Sequence, residues 1–238
     1  MPHTICEVHR LGLVEYQAAW DLQNQMAAEI ARGQRPPSLL LLEHPPTYTF
    51  GRGGKAANLL WDEAELARRG IRTYWVDRGG DVTYHGPGQL VGYPLLPLGT
   101  GELTSAGKLH GRVPRVDYTG YLRKLEQVLV LALAALGVNA TSAAGLTGVW
   151  VDLPAQEKAK KIAAIGVKVD AQGVTRHGFA LNVNPEMSHW DGIIPCGLTG
   201  YGVASLKELL SPCPSMLQVQ AAVLQAFQTV FALQIKSV

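Results

Sequence analysis

The sequence predicts an α+β protein built on a mixed central sheet flanked by helices. Short apolar runs of strand length recur along the chain, only a few long helical stretches interrupt them, and the two kinds do not alternate as in a doubly wound fold. With 238 residues, 47% hydrophobic and 17% charged, the chain can fill one sizeable core, and a single domain spanning 1–238 is the simplest organisation.

Residues 16–32 set Trp20, Leu22, Met26 and Ile30 in one apolar stripe with several alanines, and Gly33 and Pro36 close that helix. Residues 38–42 are almost wholly apolar, as a strand buried on both faces requires. Residues 47–50 read as another strand and 62–69 as a helix stopped by Gly70. Strands at 72–76, 82–84 and 90–95 follow, separated by glycine-rich turns, and 99–114 reads as a long polar loop.

Leu122, Leu125, Leu129, Leu133 and Leu136 recur at three- and four-residue steps within 116–136, one face of a helix capped by Gly137. Strands are expected at 148–152, 161–169 and 174–183, with 154–160 as a mobile connection. Helices at 204–210 and 215–233 complete the set.

A net charge of +2 is too small to imply nucleic-acid or membrane binding as a global property. Three cysteines, Cys6, Cys196 and Cys213, make no disulfide framework, which fits a reducing cytoplasm. The first residues show no secretory pattern, and the longest apolar run, 128–136, is about half of the roughly 20 residues of a membrane span.

The densest chemistry lies in Arg78-Gly79-Gly80-Asp81-Val82-Thr83-Tyr84-His85-Gly86-Pro87-Gly88-Gln89, where glycines let the backbone approach a ligand and Arg78, Thr83, His85 and Gln89 offer polar side chains. No Gly-Lys-Ser/Thr follows, so this is no phosphate-binding P-loop, and the GxGxxA match at 51–56 is read as a turn. If 161–169 is a strand, alternation puts Lys161 on the face with Ala163, Ile165 and Val167, and an ammonium against apolar surface is pushed toward the neutral amine. Cys196 sits between proline and glycine in a turn, while Cys213 sits between two prolines, and spacing alone does not separate them. Gly178 and Ala180 would line a pocket without filling it, and the amides near Gly178 could hold an oxyanion. His85 or His177 could activate a cysteine in the ordinary Cys-His manner.

Taken together, SLLLLEHPPTYTFGRGG, RGGDVTYHGPGQLVGYP, KIAAIGV, HGFALNVN and IIPCGL resemble the octanoyl (lipoyl) transferases of lipoate biosynthesis, which share a fold family with the biotin and lipoate protein ligases. The likeness covers nearly the whole chain, and its RGG-x-x-T-Y-H-x-x-G-Q-x-x-x-Y pattern is long and specific. It implies a biotin/lipoate ligase-like catalytic domain, a catalytic cysteine at Cys196 in the PCG motif and a catalytic lysine at Lys161. The implied acyl pocket is lined by 78–85, by Ala164, Ile165 and Gly166, and by Gly178, Phe179 and Ala180. Two departures stand out: the 99–114 loop is longer than the family usually has, and Asp81 stands where Gln is frequent.

The resemblance further implies transfer of an octanoyl group from octanoyl-acyl carrier protein, through a Cys196 thioester, to the lysine of lipoyl domains. Those acceptors are the lipoyl domains of 2-oxoacid dehydrogenases and the glycine cleavage H protein. No metal, cofactor or nucleotide is implied. Both protein partners are of a generally acidic kind, which makes Arg52, Lys55, Arg68, Arg69 and Arg72 docking points. The competing readings are an ATP-dependent ligase on the same fold and a non-catalytic acyl-binding or lipoyl-domain-binding module.

Overall fold

The computed structural model describes residues 4–98, 117–143, 145–152, 158–197 and 200–238. The expected loop at 99–114 lies outside them, as does most of the connection at 154–160. The chain runs β1 (Ile5–Leu13), α1 (Tyr16–Ala31), β2 (Ser38–Glu43), β3 (Thr47–Phe50), α2 (Glu63–Arg69), β4 (Arg72–Trp75), β5 (Val82–His85) and β6 (Gln89–Leu95). It continues through α3 (Tyr118–Ala135), β7 (Thr141–Ala143), β8 (Leu146–Val151), β9 (Lys160–Val169), β10 (Thr175–Asn182), α4 (Leu206–Leu209), α5 (Met216–Phe231) and β11 (Gln234–Ser237). No helix among the described residues is long and apolar enough to cross a membrane.

Two sheets result, and both are mixed. The larger has the order β11-β1-β2-β6-β10-β9-β8-β7, with β1 parallel to β11 and β2 and the remaining pairs antiparallel. The smaller has the order β4-β3-β5. Strand β2 runs through the middle of the larger sheet and is apolar on both faces for that reason: Leu39 and Leu41 meet one helical layer, Leu40 and Leu42 the other.

On one face Leu125, Leu129 and Leu133 of α3 and Val219, Val223 and Phe227 of α5 pack on Leu90, Phe179 and Leu181. On the opposite face Met26, Ala27 and Ile30 of α1 cover Val91, Leu95 and Ala180. A third cluster, with Tyr48, Phe50, Val82, Tyr84, Trp190 and Ile193, closes the outer side of the small sheet.

Helix ends follow their chemistry. Asp62 accepts from the Glu65 amide at the start of α2, and Gly70 ends it in the left-handed region. Gly137 follows α3 with φ 85°. The helix expected at 204–210 is a single turn, held by the reciprocal Ser205–Glu208 capping box.

The expected facing of Lys161 is corrected. Val149 pairs with Ala163 but Trp150 pairs with Lys161, so β9 carries one extra residue, Ile162, against β8. Ile162 and Ala163 both enter the α3/α5 core, and Lys161 is turned to the other face with Trp150, its Nζ 4.7 Å from that ring's centroid. Gly148, with φ 121°, leaves the space: a Cβ there would lie 3.4 Å from Lys161 Cε and 2.7 Å from the Ala163 carbonyl.

Leu129 is fully buried where α3 meets the sheet. Leu129→Ala is expected to lower the unfolding free energy by about 2–5 kcal/mol, read from urea titration, with the native fold retained.

Candidate active site

Between the two sheets, on the α1 side of the larger one, lies a pocket whose empty space, mouth included, is ≈ 470 Å³. One wall is the small-sheet segment, through Arg78, Gly80, Asp81, Thr83 and His85; the other is β9 and β10, through Ala164–Gly166 and His177–Ala180. Small residues are what make the space. A Cβ on Gly166 would lie 3.0 Å from Arg78 Cδ, and one on Gly178 would collide with the Gly92 carbonyl.

The pocket has direction. Gly80 is exposed and Asp81, Ala164 and Gly166 are half-buried, so they form the mouth, whereas Tyr16, Tyr93, His177 and Phe179 are buried and form the floor. The PCG turn, Pro195–Gly197, packs against β5, and a Cβ on Gly197 would lie 3.0 Å from Asp81 Oδ2. Cys196 therefore belongs to a turn beside the mouth.

The sequence-predicted lining residues sort by strand alternation. Thr83 and His85 face the pocket, while Val82 and Tyr84 point to the outer cluster, where Tyr84 Oη meets His189 Nδ1 at 2.9 Å. Gly79 stands outside the lining, and its amide donates to the Val167 carbonyl, joining the RGG turn to β9. Ile165 packs into the helical core and borders the pocket between Ala164 and Gly166. Gly178 is buried in the wall, paired with Gly166, and does not stand at the mouth.

Arg78 works chiefly on backbone. Its Nη2 donates to the Thr49 carbonyl at 2.6 Å and the Asp81 carbonyl at 2.8 Å, and its Nη1 to the Gly79 carbonyl at 2.9 Å. Asp81 ties the mouth together: its carboxylate accepts from the Lys55 amide at 3.0 Å, the Val82 amide at 2.7 Å and the Asn58 side chain. The Asn58 carbonyl in turn accepts from the Ile194 amide at 2.9 Å, two residues before Cys196.

A second chain of bonds runs to Lys161. His85 Nδ1 meets Gln89 Oε1 at 2.9 Å, Gln89 donates to Asn182 at 2.9 Å, and Asn182 donates to the Ala204 carbonyl at 3.0 Å. The Ala204 amide donates to the Lys161 carbonyl and the Lys161 amide to the Gly202 carbonyl, so the strand carrying the lysine is joined to the chain that follows the PCG turn.

Sequence reasoning missed Tyr16 and Tyr93 and used His177 only as a rival base. Tyr93 Oη lies 2.8 Å from His44 Nε2 behind the floor, and His177 Nε2 lies 2.8 Å from Asp77 Oδ1. His177 adopts φ 57°, a strained setting for a histidine and the one local sign that it sits at a site. Burial holds His85 and His177 below the usual imidazole range and lowers His44 to about 4, which leaves them neutral and poorly suited to storing a catalytic proton. Of the other cysteines, Cys6 is buried in the core with its thiol pushed up to about 12 by burial, and Cys213 packs against the helical core outside the pocket lining.

A cleft lined by small residues, with the PCG turn beside its mouth and a two-sheet mixed scaffold around it, has the form of a small-ligand pocket in a catalytic domain. The profile described as Lipoyl protein ligase A/B catalytic domain matches residues 15–228. The octanoyltransferase of Gloeobacter violaceus is 48% identical over 232 residues, 96% of this chain and 91% of that one. That of Chloroflexus aurantiacus is 46% identical over 227 residues, 95% and 94% of the two chains. A bipartite lipoate protein ligase of Thermoplasma acidophilum shares the fold with TM-score 0.73 and 18% identity, over 99% of this chain and 88% of that one. The chain belongs to the lipoyl protein ligase A/B catalytic-domain family, among its octanoyltransferases, and is an acyltransferase.

The buried histidines make stability depend on acid. Unfolded, each takes up a proton near pH 6.5; between there and its depressed folded value only the unfolded chain holds it, so stability falls as pH falls. For His44 that window runs down to about 4. The unfolding free energy is expected to drop by about 1.4 kcal/mol per pH unit or more across it. A flat urea-stability profile over the same range refutes neutral burial.

Proposed function

We propose that the chain, acting as one catalytic domain over 1–238, moves an octanoyl group from octanoyl-acyl carrier protein to the lysine of lipoyl domains through a thioester on Cys196. The cytoplasm is the proposed compartment. The reading is supported chiefly by one geometric relation: a pocket opens beside the PCG turn and ends on a buried floor, and the bulge at Ile162 turns Lys161 away from the helical core to the pocket face of β9. An acyl chain seated in that pocket has its carbonyl at the mouth, beside the cysteine turn.

In the first half-reaction the Cys196 sulfur attacks the donor thioester carbonyl while Lys161 takes the thiol proton. The carbon–sulfur bond to the donor breaks, and the departing thiol recovers the proton from Lys161. In the second, the acceptor lysine amine attacks the Cys196 thioester, Lys161 accepts the amine proton, and Cys196 leaves to be protonated again. A thioester is exchanged for a thioester and then for an amide, so no nucleotide is consumed. The acceptors are the lipoyl domains of 2-oxoacid dehydrogenases and the glycine cleavage H protein. Arg78–His85, Ala164–Gly166 and Gly178–Ala180 are the proposed acyl-binding segments, Gly79, Val82 and Tyr84 acting through the shape they give the wall.

Intact-mass analysis after incubation with octanoyl-acyl carrier protein is expected to show one octanoyl adduct, lost in Cys196→Ala and retained in Cys213→Ala. Lys161→Ala is expected to cut transfer by about 100-fold or more, the scale of a lost acid–base group, and Lys158→Ala to change it little. An adduct persisting in Cys196→Ala, or transfer that requires Mg-ATP, overturns the mechanism.

A further inference from the structure

The basic residues that the sequence offers as docking points divide into two kinds. Arg68 and Arg69 are bound to Glu65 at 2.6 and 2.5 Å, and Arg72 to Glu15 at 2.8 Å, so these cations are already matched within the chain. Arg52 and Lys55 are exposed, and among the described residues no carboxylate stands within ion-pair distance of either side chain.

These two cations stand on a loop fixed against the pocket. The Arg52 amide donates to the Arg78 carbonyl at 2.9 Å, the Gly53 amide to the Gly80 carbonyl at 3.0 Å, and the Lys55 amide to the Asp81 carboxylate at 3.0 Å. Arg78, Gly80 and Asp81 all line the pocket, so the loop is the outer rim of its mouth. Beside it Trp75 is 60% exposed although its ring stacks on Phe50 at 4.6 Å. A Cβ on Gly54 would lie 3.3 Å from that indole, so ring and loop are in contact.

We propose that Arg52, Lys55 and Trp75 form the docking surface for the acyl donor, recognised as an acidic protein face that delivers its thioester on a flexible arm. This rests on the acyl-transfer reading above and locates one of its partners. Two cations with no carboxylate of the described residues within ion-pair distance, beside an open aromatic ring, complement a carboxylate-rich surface, since Arg and Trp are the residue types that anchor interfaces. The loop is held by backbone bonds, so little ordering opposes association. The donor is favoured over the acceptor because its acyl chain must be threaded past Gly80 while still attached to its carrier. The acceptor amine needs only to reach a thioester whose chain is already seated.

The test compares two donors on the full-length enzyme: octanoyl-acyl carrier protein and a small octanoyl thioester such as octanoyl-pantetheine. Arg52→Glu/Lys55→Glu is expected to lower kcat/KM for the carrier-borne donor by about tenfold or more and to flatten its salt dependence. Turnover of the small thioester should stay within about twofold, as expected when steering charges lie outside the chemistry. Trp75→Ala should act in the same direction, and Lys236→Glu on the distant β11 should have no effect. An unchanged carrier rate, an equal loss with both donors, or a loss confined to the KM of the acceptor domain each overturns the proposal. If the wild-type enzyme is acylated by neither donor, the acyl-transfer reading itself falls and the docking surface with it.

Discussion

The buried guanidinium of Arg78 is the contact on which the pocket depends. It gathers the carbonyls of Thr49, Gly79 and Asp81 around one cation, and so draws β3, the RGG turn and the start of β5 to a common point. Hydrogen bonds to a charged donor are stronger than neutral ones, and a buried guanidinium left without acceptors would be costly, so the arrangement is strongly selected over looser ones. Glycine is required at two points where the chain passes this group: a Cβ on Gly51 would lie 2.7 Å from Arg78 Nη1, and one on Gly166 would press on Arg78 Cδ. The small sheet is thereby brought against the large one with a narrow gap between them, and that gap is the pocket.

From this point two bonded chains lead to the residues proposed for chemistry. Asp81 carries the geometry outward through Asn58 to the segment before Cys196, and His85 carries it inward through Gln89, Asn182 and Ala204 to Lys161. The Asp81 carboxylate takes three donors, two of them backbone amides. Two elements far apart in sequence are thus referred to one wall of the pocket, and on its floor Tyr93 is bonded to His44 and His177 to Asp77.

Much of this was legible in the sequence, and the exceptions have physical causes. Strand β2 announced itself because a strand covered on both faces must be apolar throughout. The leucine steps of α3 marked its buried face, and the glycines of the RGG and PCG segments marked close backbone approach. Strands β1, β7 and β11 were not read: β7 has three residues, and β11 is a mostly exposed edge strand whose polar residues show no core-facing pattern. Tyr16 and Tyr93 were invisible as floor residues because each lies on an element whose own periodicity explains an apolar side chain. The facing of Lys161 failed for a different reason, since strict alternation has no symbol for an inserted residue.

That inserted residue has a consequence for how the gene can vary. Upstream of Ile162 the side chains of β9 obey one parity and downstream the other, so the lysine and the small residues Ala164 and Gly166 share a face only because an odd residue separates the two runs. Replacing Ile162 by another apolar residue of similar size keeps the parity, whereas losing or gaining one codon anywhere between Lys161 and Ala164 reverses it. In this stretch the count of residues carries information that their identities do not, and a survey of point substitutions alone would leave it unseen.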